Sequence, residues 1–212
     1  GIITSYSGNT YGWGTEPGGV ETDPSGNVYI SGCAYDSTYT KKVFIMKFNS
    51  SGTLQWQKEL NQGSNVSGGC NVSCLLYQPA KSSYTGQNGT TVEAQNEGVL
   101  LYGYGSFSGI GGSNNTFLLK FDVNGNYDWG RVYYHSTDIM RTNQSEETSQ
   151  LLTQDSSGKL YISGENGGWN SHKCWTAKLE ANGDYQSAWA WEYGYSGYVN
   201  SAIAIEPTHN YL

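Results

Sequence analysis

Three thirteen-residue segments constrain this chain more than anything else in it: FIMKFNSSGTLQW (44–56), FLLKFDVNGNYDW (117–129) and WTAKLEANGDYQS (175–187). They align without a gap. Each reads aromatic, two residues, lysine (Lys47, Lys120, Lys178), Phe or Leu, a polar residue, two more, then glycine (Gly52, Gly125, Gly183). In VFIMKF, Phe44, Met46 and Phe48 alternate with Ile45 and Lys47. A period of two belongs to a strand and not to a helix. NSSG, DVNG and EANG are turn sequences, because Asn, Asp and Gly tolerate the positive φ that tight hairpins demand. Each segment therefore reads as a β-hairpin.

A second hairpin lies upstream of each. DPSGNVYISG (23–32) returns almost unchanged as DSSGKLYISG (155–164). The fuller stretches GGVETDPSGNVYISG, TTVEAQNEGVLLYGYG and SQLLTQDSSGKLYISG each supply a short strand, a turn and a longer strand. One unit is then four antiparallel strands joined by tight turns. Complete units are expected near 18–62, 90–136 and 148–195, with partial ones at 1–14 and 200–212. Residues 61–90 read as an insertion. A lone four-stranded sheet exposes an apolar face, and stacking the units buries both faces of their middle strands. That accounts for the runs LLY and FLL, where strict alternation fails. The expected fold class is all-β: tandem four-stranded antiparallel blades of β-propeller type, three full blades with partial blades at both ends. A propeller needs at least four blades. Residues 1–212 are accordingly expected to be a window of a longer chain.

DPSGNVYISG followed by FIMKFNSSGTLQW resembles the bacterial-type β-propeller repeats known as SBBP repeats. Those carry D-x-x-G-N-x-Y-x-x-G and then A/F-x-x-K-[FL]-[DN]-x-x-G-x-x-x-W. The first and third units match closely; the second has AQNEG in place of the DxSGN turn. The resemblance implies a propeller in an extracellular or cell-surface setting, and a structural module, not an enzyme.

The net charge is −7 and no basic cluster is present, which argues against nucleic acid or an anionic membrane face as partner. No apolar run is long enough to span a bilayer as a helix. Four cysteines (Cys33, Cys70, Cys74, Cys174) lack metal-like spacing. One or two disulfides are expected, with Cys33 a candidate partner of Cys70 or Cys74; four buried thiols are the alternative. Asn-x-Ser/Thr sequons begin at Asn49, Asn65, Asn71, Asn88, Asn114 and Asn143. Three of them (Asn65, Asn71, Asn88) share one polar stretch where a glycan stays solvated, whereas Asn49 falls in a tight turn. Cysteines and sequons together point to a secreted or surface glycoprotein.

The chain offers no catalytic set, cofactor motif or metal-ligand spacing. His135, His172 and His209 lie in separate units, and YGYGSFSGIGGS joins strand to strand, not strand to helix as a phosphate cradle requires. DVNGNYD (Asp122–Asp128) spaces oxygen ligands as calcium would need, but its glycine is misplaced for an EF-hand loop and turn chemistry accounts for it. Glu16, Glu146 and Glu147 read as solvated carboxylates. Tyr29, Trp56, Trp129, Tyr161 and Trp175 recur at unit positions and read as packing. Trp13, Trp169, Tyr195 and Tyr198 do not recur and are the candidates for stacking on a ligand. The expected function is a non-catalytic structural or adhesion module, a glycosylated fibre or surface-assembly subunit, that contacts proteins or itself through blade edges. The alternative is a carbohydrate-binding, lectin-like propeller.

Overall fold

The computed structural model describes residues 16–35, 41–60, 71–85, 89, 91–92, 94–105, 115–133, 151–168 and 171–193. The described residues form strands and turns and no helix. β1 (Glu16–Thr22), β2 (Val28–Tyr35), β3 (Lys41–Phe48) and β4 (Leu54–Leu60) make the first four-stranded sheet in that spatial order. β5 (Asn71–Gln78), β8 (Gly98–Gly105), β9 (Asn115–Asp122) and β10 (Tyr127–Tyr133) make the second. β11 (Leu151–Gln154), β12 (Leu160–Gly168), β13 (Ser171–Leu179) and β14 (Tyr185–Tyr193) make the third. Between β5 and β8 stands a separate two-stranded ribbon, β6 (Tyr84–Thr85) and β7 (Thr91–Val92). Every pairing is antiparallel.

The turns form as their residues dictate. At Asp23, Asn49, Asp122, Asp155 and Glu180 the carbonyl accepts the N–H of a glycine three residues on, at 2.9–3.0 Å. Those glycines, Gly26, Gly52, Gly125, Gly158 and Gly183, have φ of 77–89°. This is a type I turn closed by a glycine bulge, which matches the twist of the flanking strands. Pro24 fits the second turn position because its fixed φ suits it. The side chain at the first position finishes the job. Asn49 Oδ1 accepts the N–H of Ser51 and Thr53 at 3.1 and 2.8 Å. Asp122 Oδ1 accepts those of Asn124 and Asn126 at 2.9 and 2.8 Å.

The second sheet corrects the expected boundaries. Residues 71–78, expected within an insertion, are β5, the first strand of that sheet, paired along β8 from Asn71↔Tyr104 to Gln78↔Gly98. Residues 91–92, expected in that role, pair instead with 84–85. The insertion thus begins after Gln78 and replaces the tight turn between the first two strands. The other two sheets lie where the repeat places them.

Register shows that the sheets are built alike. Gly32 pairs with Phe44, Gly103 with Phe117 and Gly164 with Trp175. In each case the aromatic ring lies against the glycine, so that a Cβ there would come within 2.9, 2.7 and 2.6 Å of the ring. One cluster joins Tyr29, Cys33, Val43 and Ile45 of the first sheet to Val72, Val99, Leu101, Phe117 and Phe121 of the second. Another joins Leu100, Tyr102 and Leu118 of the second to Leu160, Ile162, Trp175 and Leu179 of the third. The second sheet is buried on both faces, and β8 is buried along its length. On the first sheet, Ile30 points away from the second and is 38% exposed, whereas its repeat counterpart Ile162 is at 0%.

Candidate functional site

The chemistry of this molecule concentrates where one sheet meets the next. At the first junction the Asp122–Asn126 turn rests on β3 and β4 of the first sheet. Lys47 Nζ and Trp56 Nε1–H both donate to the Val123 carbonyl at 3.0 Å. Gly125 lies flat on the Trp56 ring: a Cβ there would sit 2.7 Å from it. Lys47 Nζ also stands 5.2 Å above the centre of the Tyr29 ring, a cation–π contact. Tyr29 OH in turn donates to Asp23 at 3.2 Å, closing a path from turn to turn.

The second junction repeats this docking with different atoms. The Glu180–Asp184 turn rests on β10, where a Cβ on Gly183 would meet the Trp129 ring at 2.8 Å. Tyr133 OH donates to the Gly183 carbonyl at 2.7 Å. Arg131 pairs with Asp184 at 3.2 Å. The Ala181 carbonyl, counterpart of Val123, accepts Gln78 Nε2–H at 3.1 Å. Trp129, counterpart of Trp56, is displaced from that role, and its enclosed indole N–H has no acceptor.

The insertion accounts for the change. Tyr84 OH donates to Glu180 at 2.5 Å and accepts the Ala181 N–H at 3.1 Å. Lys81 Nζ donates to the Ser156 carbonyl at 2.7 Å. Lys120, the repeat lysine of this unit, turns toward the insertion. Its Nζ donates to the Asn96 carbonyl at 2.7 Å, with Gln95 Oε1 at 3.4 Å and the Asp128 carboxylate at 3.8 Å. Lys120 is 0% exposed. Burial lowers its amine pKa, and the facing Asp128 carboxylate opposes that. Beside this group opens a cleft of about 220 Å³, lined by Thr91, Gln95, Asn96, Asp128, Trp129 and Asn182 among others. Three segments remote in sequence build it: the insertion, β10 and the turn before β14.

No family model and no curated protein matches the chain.

The sequence-predicted site residues fall elsewhere. Trp13, Trp169, Tyr195, Tyr198, Cys70, Asn65, Asn88, Asn114 and Asn143 lie outside the described residues, as do Glu146, Glu147, His135 and His209. Asn49 holds its turn through Oδ1. Asn71 lies at the start of β5, and its amide nitrogen donates to Tyr104 OH. Cys33, Cys74 and Cys174 are thiols on three different sheets, so the expected disulfide does not form among the described residues. Burial pushes the Cys74 thiol up to about 12. The carboxylates of DVNGNYD are divided: Asp122 closes its turn and Asp128 faces Lys120. Tyr29, Tyr161 and Trp175 are core residues. Trp129, read from its recurrence as packing, both packs on Gly183 and lines the cleft. No sequence sign marks that second role, because it depends on an insertion present in one unit only.

Proposed function

We propose that this chain is a non-catalytic structural or adhesion module, extracellular or on a cell surface, whose four-stranded sheets act as β-propeller blades of the SBBP type. The observation that carries the reading is the repeated docking of a glycine turn onto a tryptophan, Gly125 on Trp56 and Gly183 on Trp129. Each sheet offers its outer strand as the seat for the next. A chain organised this way gains stability by adding neighbours, as repeat proteins do. The apolar face around the 38%-exposed Ile30 is the surface through which a further blade or a partner continues the series. Asp23, Asn49, Asp122 and Asp155 close turns, and Lys47, Trp56, Gln78 and Tyr133 cross junctions, which suits a scaffold.

Surface labelling of intact cells and electron microscopy of the natively purified protein test this. The expected result is a surface-accessible protein forming rings or stacked arrays of wedge-shaped repeats. A cytoplasmic protein without such arrays, or a purified chain that turns over a substrate, refutes it.

A further inference from the structure

We propose that the cleft between β7, β10 and the Glu180–Asp184 turn binds a neutral, hydroxyl-rich ligand, one saccharide ring in size. The proposal goes beyond the scaffold reading and does not rest on it. Size gives the first limit. At about 220 Å³ the cleft is smaller than the sites of roughly 300–1,000 Å³ that enclose drug-sized ligands. It holds one small ring, such as the terminal residue of a glycan.

The lining then selects the chemistry. Asp128 supplies a carboxylate that accepts from hydroxyls; Gln95, Asn96 and Asn182 supply amides that both donate and accept; Thr91 supplies a hydroxyl. An anion is disfavoured by the Asp128 carboxylate in the wall. A metal ion is disfavoured because that carboxylate already faces the Lys120 ammonium at 3.8 Å, and among the described residues no group of three or more His, Cys, Asp or Glu gathers around a common point. An apolar ligand would leave these polar groups unpaired, at a cost of about 1–3 kcal/mol each. A polyol satisfies donors and acceptors together, and Trp129, its ring already covered in part by Gly183 and Arg131, completes the wall.

Two further facts mark the cleft as built. Asn182 is held in the turn, its Oδ1 accepting the Asp184 N–H and its Nδ2 donating to the Asp184 carboxylate, both at 3.0 Å. Lys120 holds the Asn96 carbonyl and stands opposite Asp128, so one buried side chain fixes two walls. At the first junction the same repeat positions are spent on docking: Lys47 and Trp56 both bond Val123. At the second, neither counterpart bonds the docked turn: Lys120 bonds Asn96, and the Trp129 N–H is enclosed without an acceptor.

The test uses the full chain on an array of neutral glycans, then titrates the strongest monosaccharide and, in parallel, inorganic phosphate. Asp128→Ala and Thr91→Ala are each expected to weaken saccharide binding by roughly tenfold or more, the scale of one lost hydrogen bond to a charged or buried group. Thr91 lies on the short ribbon outside the three sheets, so its variant keeps the fold and decides the matter if Asp128→Ala does not fold. Denaturation midpoints check both. No bound neutral saccharide overturns the proposal, undiminished binding in folded variants overturns the site, and phosphate bound more tightly than any sugar overturns the ligand class.

Discussion

Gly125 and Gly52 occupy the same place in the repeat but not the same surroundings, and replacing each by alanine separates turn strain from sheet docking. Both have left-handed φ, 81° and 79°. An alanine there costs about 1–2 kcal/mol in backbone strain, of which about 0.4–1 kcal/mol is returned by the lower entropy of the unfolded chain. Gly52→Ala meets nothing more, because no atom lies within 4 Å of its added Cβ. It should destabilise by about 1 kcal/mol. Gly125→Ala drives a methyl to 2.7 Å from the Trp56 ring. Overpacking adds about 1–3 kcal/mol. If the ring moves, the Trp56 bond to Val123 goes with it, about 0.5–1.5 kcal/mol more. The expected loss is about 2–5 kcal/mol in total. Urea denaturation followed by tryptophan fluorescence measures both. With m near 2–3 kcal/mol/M, the two midpoints should differ by about 1 M at unchanged m. Equal midpoints would refute the claim that this turn is seated on the neighbouring sheet.

Three other outcomes are expected. The Asp122 carboxyl is pushed up by desolvation, but hydrogen bonds from Asn126, Asn124 and Gly125 outweigh this and hold it below 3.8, so its contribution is present above that value and lost as pH falls through the lowered one. Asp122→Asn, which copies Asn49 but cannot accept from Asn126 Nδ2 as the second carboxylate oxygen does, should lower stability at pH 7 and flatten the acid limb below about pH 4 in thermal melts. Burial raises the hydroxyl pKa of Tyr29, Tyr77, Tyr84, Tyr102 and Tyr133, and takes Tyr161, beside Asp155, to about 12. A raised folded value means stability intact below about pH 10 and lost above it, so denaturation midpoints should fall steeply from about pH 10, and Tyr161→Phe should lessen the fall. Cys74, half-buried and with its thiol pushed up to about 12 by desolvation, should react with a thiol reagent far more slowly in the native protein at pH 8 than after unfolding, and equal rates would contradict its placement.

The repeated hairpins show why much of the fold was legible. A glycine turn with Asn or Asp at its first position needs only four or five adjacent residues to form, and strand alternation is equally local. The positive-φ glycines at 26, 52, 125, 158 and 183 are those the motif marks. The LLY and FLL runs lie in β8 and β9, between two neighbouring sheets, as a doubly buried strand requires. The first strand of the second sheet was misplaced because strand choice there is a long-range competition. Leu75-Leu76-Tyr77-Gln78 does read like Leu151-Leu152-Thr153-Gln154, and the two glutamines cross the second junction from opposite sides, to Ala181 and Tyr77.

What the sequence alone determined is the unit: its turns, its strand period and its three occurrences. All of that is written in contacts a few residues apart. Only the tertiary structure decided what one unit does to the next. Lys47 and Lys120 hold the same repeat position, yet one bonds the neighbouring turn and the other is buried against Asn96 beside the cleft. Their difference comes from a segment folded back from elsewhere in the chain, which changes the acceptors within reach of an ammonium, and no local pattern records which acceptors those are.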